Sequence, residues 1–128
     1  MEKRGSLFVN WLNFSYFYMR VHVISKSSLR DFVLIHSQAL SSVADWSDKI
    51  RFARWNKPSD IIHTFPKADI LGRGSARMVF NLGGNEFRLI CQYVFGESEV
   101  HLYVCWIGKH EEYTRLCQQN KQYSINRY

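Results

Sequence analysis

A chain of 128 residues is long enough for one compact domain and too short for two. Its 46% apolar and 16% aromatic content supplies a sizeable core and excludes wholesale disorder. Seventeen Lys and Arg against eleven Asp and Glu give a net charge of +6, which favours a polyanion or an acidic protein partner, or else serves solubility alone.

Residues 1–18 have a basic start and a mostly apolar run broken by Asn10 and Asn13. The run is too short and too polar for a membrane span, and no small-residue cleavage site follows it. It reads as an extension outside the core domain, the rival being an amphipathic arm packed on the body or on a partner. Arg20 to Ser25 is a β-branched run and predicts the first strand. Ser28 stands as an N-cap before a helical stripe of Leu29, Phe32, Val33, His36 and Leu40, with Asp31 in the first turn. His36 in that stripe reads as a partly buried helix residue rather than a catalyst. Ser41-Ser42 interrupts the pattern, and Val43, Trp46, Ile50 and Ala53 then line one face of a second helix. Lys49, Arg51 and Arg54 fall on its other, solvated face.

The stretch 56–74 predicts an irregular connection, punctuated by Pro58, Pro66, Gly72 and Gly74, with a turn of helix near Ser59 to His63. Ile61, Ile62, Phe65 and Leu71 are its candidate buried anchors. Three strands follow by strict alternation. Met78, Phe80 and Leu82 share one face; Gly83-Gly84 is a two-residue hairpin signal; Phe87 to Phe95 returns. After a turn at Gly96 to Ser98, Val100, Leu102, Val104 and Trp106 alternate with His101, Tyr103, Cys105 and Ile107. A helix from about Lys109 to Gln118 packs through Tyr113, Leu116 and Cys117, and residues 119–128 form a loose polar tail. The result is an α+β domain over 19–118, with helices covering one sheet face and the other left free for a basic, concave site.

Three cysteines, Cys91, Cys105 and Cys117, lack metal-ligand or redox spacing, so they read as reduced thiols of a cytosolic protein. No phosphate-binding glycine loop, magnesium carboxylate cluster or hydrolase nucleophile motif is present. The chemistry is therefore expected to use neither metal nor cofactor.

Arg88 is the first candidate for chemistry. It alternates away from Phe87 and Leu89, so the pattern places it on the exposed side of a rigid strand, where a guanidinium suits a phosphate and developing negative charge. The plain alternative is a surface ion pair with Glu86 or Glu99. His110 and Tyr113 lie three apart on the last helix and share a face. An imidazole exchanges protons near neutral pH, and a phenol joins in if neighbouring cations lower its pKa. Their plain alternative is a helix cap for His110 and core packing for Tyr113. Asn85 either bonds a base or closes the turn. Lys57, Arg73, Arg77 and Lys109 are candidate phosphate contacts. Trp55, Tyr103 and Trp106 either stack on unpaired bases or belong to the core.

The pattern VFN-x-GGNE-x-R-L, from Val79 to Leu89, followed by a strand ending in GKHEEY, from Gly108 to Tyr113, closely resembles the HigB-type toxins among the RelE-like endoribonucleases. The resemblance runs from about Met19 to about Cys117. It implies a RelE-like fold: a strand and two helices, a three-stranded antiparallel meander and a C-terminal helix. It also implies metal-independent cleavage of messenger RNA, typically on the ribosome, with arrest of translation. Arg88 stands where such toxins carry a functional arginine, and His110 and Tyr113 match a THxEYD-like segment. Lys109 and Thr114 depart from that segment, which removes its flanking hydroxyl and carboxylate. The expected partner is a helix-turn-helix antitoxin, through which alone the toxin would meet operator DNA; no membrane is expected. A non-catalytic RNA- or ribosome-binding module on the same fold is the runner-up, and a scaffold that only docks an acidic antitoxin is the third reading.

Overall fold

A computed structural model describes residues 18–128. The extension at 1–18 therefore lies outside the described residues, apart from Tyr18. Six strands form one sheet: β1 (Met19–Ile24), β2 (Arg54–Trp55), β3 (Asp69–Leu71), β4 (Arg77–Leu82), β5 (Phe87–Phe95) and β6 (Glu99–Lys109), in the order β2-β1-β6-β5-β4-β3. The helices are α1 (Lys26–Ile35), α2 (Leu40–Phe52), α3 (Ser59–Thr64) and α4 (His110–Gln118). The α+β class and the meander are as the sequence predicts. β1 lies next to the edge strand β2 and pairs in parallel with β6, Arg20 opposite Glu99 and Ile24 opposite Tyr103. Glu99 fastens this junction, with His22 Nε2 at 2.8 Å from one carboxylate oxygen and His101 Nε2 at 2.9 Å from the other. The hydrogen bond with His101 and the charge of both imidazoles hold the Glu99 carboxyl below its usual range.

Several local expectations change. α1 begins at Lys26, after Ser25 in a left-handed conformation, so Ser28 lies inside the helix and is buried rather than capping it. The helix break falls at His36 and the short 3-10 turn Ser37–Ala39, and Ser41-Ser42 belong to α2. His36 ends α1 with its ring 4.3 Å from that of Phe32. The connection 56–74 holds α3 and the edge strand β3, with Ile61 and Leu71 buried. The hairpin turn has four residues, Gly83 to Glu86, closed by Leu82 opposite Phe87. Both glycines are left-handed, with φ of 60° and 67°.

Two cores lie on opposite sheet faces. The main one joins Leu29, Phe32, Trp46 and Ile50 to inward residues of β4, β5 and β6. The second joins Leu71, Val79, Ile90, Cys105 and Trp106 to Tyr113 and Leu116 of α4 and to Tyr123 and Ile125 of the tail. The second face is thus partly roofed rather than left free. A bulge makes the difference on β6. Ile90 faces Trp106 while Cys91 faces Val104, so Cys105 is an extra residue on β6. Beyond it the alternation inverts, sending Trp106 to the second core and Ile107 to the main one.

The tail is docked. The Arg127 N–H donates to Cys105 O at 2.9 Å, and Arg77 Nη1 donates to Ile125 O at 2.6 Å and Gln122 O at 3.3 Å. The apolar side chains of Tyr123 and Ile125 explain why a segment of polar composition packs here.

Candidate active site

The site is built where β5 leaves its hairpin and β6 runs into α4. Arg88 faces Gly108 across the strands, on the second face. A Cβ on Gly108 would overlap the Trp106 indole, so glycine lets that ring lie flat over the strand. Trp106 in turn has its ring centroid 6.4 Å from that of Tyr113. The Glu86 carbonyl accepts the His110 N–H at 2.9 Å and ties the hairpin turn to the start of α4. Glu112 Oε1 accepts the Lys109 N–H at 2.9 Å, which fixes the same helix start from its own first turn.

Arg88 is 8% exposed, which corrects the expectation that it projects from an open face: the α4 roof encloses it. Its guanidinium donates through Nη2 to Asn85 Oδ1 at 3.0 Å and through Nη1 to Phe87 O at 3.1 Å. No ion pair with Glu86 or Glu99 forms. A guanidinium has five N–H donors, so these two bonds set its orientation and leave capacity for a ligand.

Tyr113 is half-buried. Burial pushes its phenol above the ordinary tyrosine range; a hydrogen bond with Cys117 and the charge of Asp69 push the same way, and Arg88 pulls it down. The expectation of a cation-lowered phenol is reversed, because desolvation outweighs the arginine. The phenol stays protonated at neutral pH and can offer a hydrogen bond. His110 is exposed at the start of α4. Asp69, on the edge strand β3, is a site neighbour that the sequence did not single out. Nothing in its spacing marks it, because β3 lies within a stretch that reads as loop.

The other candidates divide. Asn85 and Lys109 lie at the site, Asn85 exposed and Lys109 half-buried at the β6–α4 junction. Arg77 is 6% exposed and bonded to the tail, which engages it as a structural anchor. Arg73 is exposed, with its guanidinium 4.4 Å from the Tyr123 ring centroid, in the loop before β4 and away from the Arg88 end of the hairpin. Lys57 is exposed just after β2, at the opposite edge of the sheet from β3. Trp55 and Trp106 are core residues, while Tyr103 is 38% exposed. Among the described residues no group of His, Cys, Asp and Glu is placed to hold a metal ion, and no helix is long and apolar enough to cross a membrane.

A basic α+β domain of this strand and helix order, with an arginine of the central hairpin facing a C-terminal helix, has the architecture of the RelE-like toxins. The chain belongs to the HigB toxin family, described as the RelE-like toxic component of a toxin–antitoxin system, whose model matches residues 39–116. It is 29% identical over 93 residues to the mRNA interferase toxin HigB of Escherichia coli (strain K12), a match covering 73% of this chain and 88% of that protein. The mRNA interferases HigB of Escherichia coli O157:H7 and Shigella flexneri match with the same identity and coverage.

Proposed function

We propose that this chain is an endoribonuclease that cleaves messenger RNA and so arrests translation, acting in the cytoplasm on ribosome-bound transcripts and without a metal ion. The observation that supports the reading is Arg88 set opposite Gly108, where β6 runs into the helix that carries His110 and Tyr113, in a member of this toxin family. The substrate is RNA because the nucleophile is the ribose 2′-hydroxyl, which DNA lacks. His110 takes the proton of that hydroxyl as its oxygen attacks the adjacent phosphorus. The bond from phosphorus to the 5′-oxygen breaks, and Tyr113 gives its proton to the departing oxygen. Arg88 stabilises the charge that builds on the phosphoryl oxygens. The products are a 2′,3′-cyclic phosphate and a 5′-hydroxyl. The partner is a helix-turn-helix antitoxin, and operator DNA is met only through it.

Incubating the purified chain with RNA in excess EDTA tests this reading. Fragments with cyclic phosphate ends are the expected result. Intact RNA that is cut only on adding zinc or manganese would overturn the metal-free mechanism. RNA bound but never cut, with ribosomes present as well as absent, would leave a binding module.

A further inference from the structure

A large cavity lies far from Arg88, on the other face of the sheet. It is a groove of about 760 Å³ between α1, α2 and the outer edge of β1. Its floor is apolar, formed by Val21, Val23, Leu29, Val33 and Val43. Leu34 and Leu40 stand on its lip, 77% and 60% exposed. Exposed aliphatic side chains around an apolar cleft mark a surface that another chain covers.

The backbone adds a second feature. β2 pairs with β1 only at Met19 and Arg20. No strand among the described residues pairs with Val21 to Ile24 on that side. This edge borders the groove, and an open edge is a template for an added strand.

The charges select the occupant. The rim carries Arg20, Lys26, Arg30 and Arg51 against the single carboxylate of Asp48. Asp48 is already engaged by Arg51 at 2.6 Å. Arg20, Lys26 and Arg30 have no carboxylate within ion-pair distance among the described residues. A second copy of the chain at a two-fold interface would set these cations against themselves. Residues 1–17 offer Glu2 against Lys3 and Arg4, so they bring no excess of carboxylates. RNA would find an aliphatic floor in which the one indole, that of Trp46, is 3% exposed and cannot stack.

We infer that this groove is the docking site of the antitoxin, which lays an extended segment along the Val21–Ile24 edge, with aliphatic side chains in the floor and acidic ones on the rim. The inference rests on the family reading that an antitoxin exists. Bound this way, the segment leaves Arg88, His110 and Tyr113 uncovered, because they lie on the opposite sheet face.

The test uses the product of the reading frame adjacent to this chain's own, co-expressed and purified as a complex. The free chain is recovered from it in denaturant and refolded. Hydrogen exchange should show those amides of Val21–Ile24 that point away from β6 protected in the complex and open in the free chain. Leu34→Asp with Leu40→Asp, and separately Lys26→Glu with Arg30→Glu, should each weaken the complex at least tenfold, with the melting curve and RNA cleavage of the free chain unchanged. Unaltered affinity in both variants would overturn the inference, as would a neighbouring product that does not bind. Protection of those outward amides already in the free chain would assign the groove to this chain's own segment. Loss of RNA binding instead of partner binding would assign it to RNA, and loss of self-association would assign it to a second copy. Cleavage by the refolded chain is measured in parallel, so failure of the nuclease reading is seen separately from failure of the docking site.

Discussion

Asn85 holds Arg88. The side-chain oxygen of the turn residue accepts from the arginine's Nη2 at 3.0 Å, three residues along the same hairpin. Together with the bond to Phe87 O, the asparagine thereby fixes the plane of the guanidinium.

Arg88→Ala is expected to reduce RNA cleavage by at least about a hundredfold, the scale for removing one charge contact to a transition state. Asn85→Ala keeps the guanidinium and loses its orientation, so its effect should be smaller, about tenfold. Initial cleavage rates, with circular dichroism to verify the fold, decide the matter. Wild-type rates in Arg88→Ala would place the site elsewhere.

The Tyr113 phenol has a folded pKa above its unfolded value of about 10. Such a group contributes stability that is full below pH 10 and is lost as pH rises beyond it. Melting temperatures from pH 8 to pH 11 should therefore fall more steeply for the wild type than for Tyr113→Phe. Tyr113→Phe should also slow cleavage at neutral pH, since it removes the proton donor. Parallel alkaline slopes for the two proteins would contradict the buried phenol.

Gly108→Ala should destabilise the fold by about 1–3 kcal/mol, the range for overpacking, because the new methyl enters the Trp106 ring. A denaturant melt followed by tryptophan fluorescence measures it. Gly84→Ala is a contrast: its Cβ meets nothing within 4 Å, and the strain is only that of a φ of 67°. Equal losses in the two variants would mean that Trp106 does not lie over the strand.

Ending the chain at Gln118 removes Tyr123 and Ile125 from the second core and leaves the Arg77 guanidinium unpartnered and buried. A loss of at least about 2 kcal/mol is expected, near that of exposing one large apolar side chain. An unchanged melt would return the tail to the loose state its composition suggests.

Legibility followed sequence distance. The helix that carries His110 and Tyr113 was readable from its spacing, and the β4–β5 hairpin because its two glycines sit between alternating runs. The α+β class followed from the same local periods. The arginine's face was read correctly but its burial was not, since α4 packs on that face from beyond the hairpin. Trp106 was assigned to the wrong core because alternation carries no sign of one inserted residue. The anchoring of Arg77 was not readable because its partners are backbone carbonyls more than forty positions away. The pairing of His22, Glu99 and His101 was invisible for the same reason: only the crossover puts β1 beside β6.

That crossover has a consequence in time. β1 finds its partner 79 positions later, at Glu99 opposite Arg20. At translation speeds of about 5–20 residues per second, roughly 4–16 s pass before β6 begins to be made. During that interval α1 and α2 have no completed sheet to cover. The second core waits longer still, because Ile125 and Arg127 follow β6 and α4 in the chain. The two faces of the sheet are therefore closed in order, the α1–α2 side first and the α4 side after it.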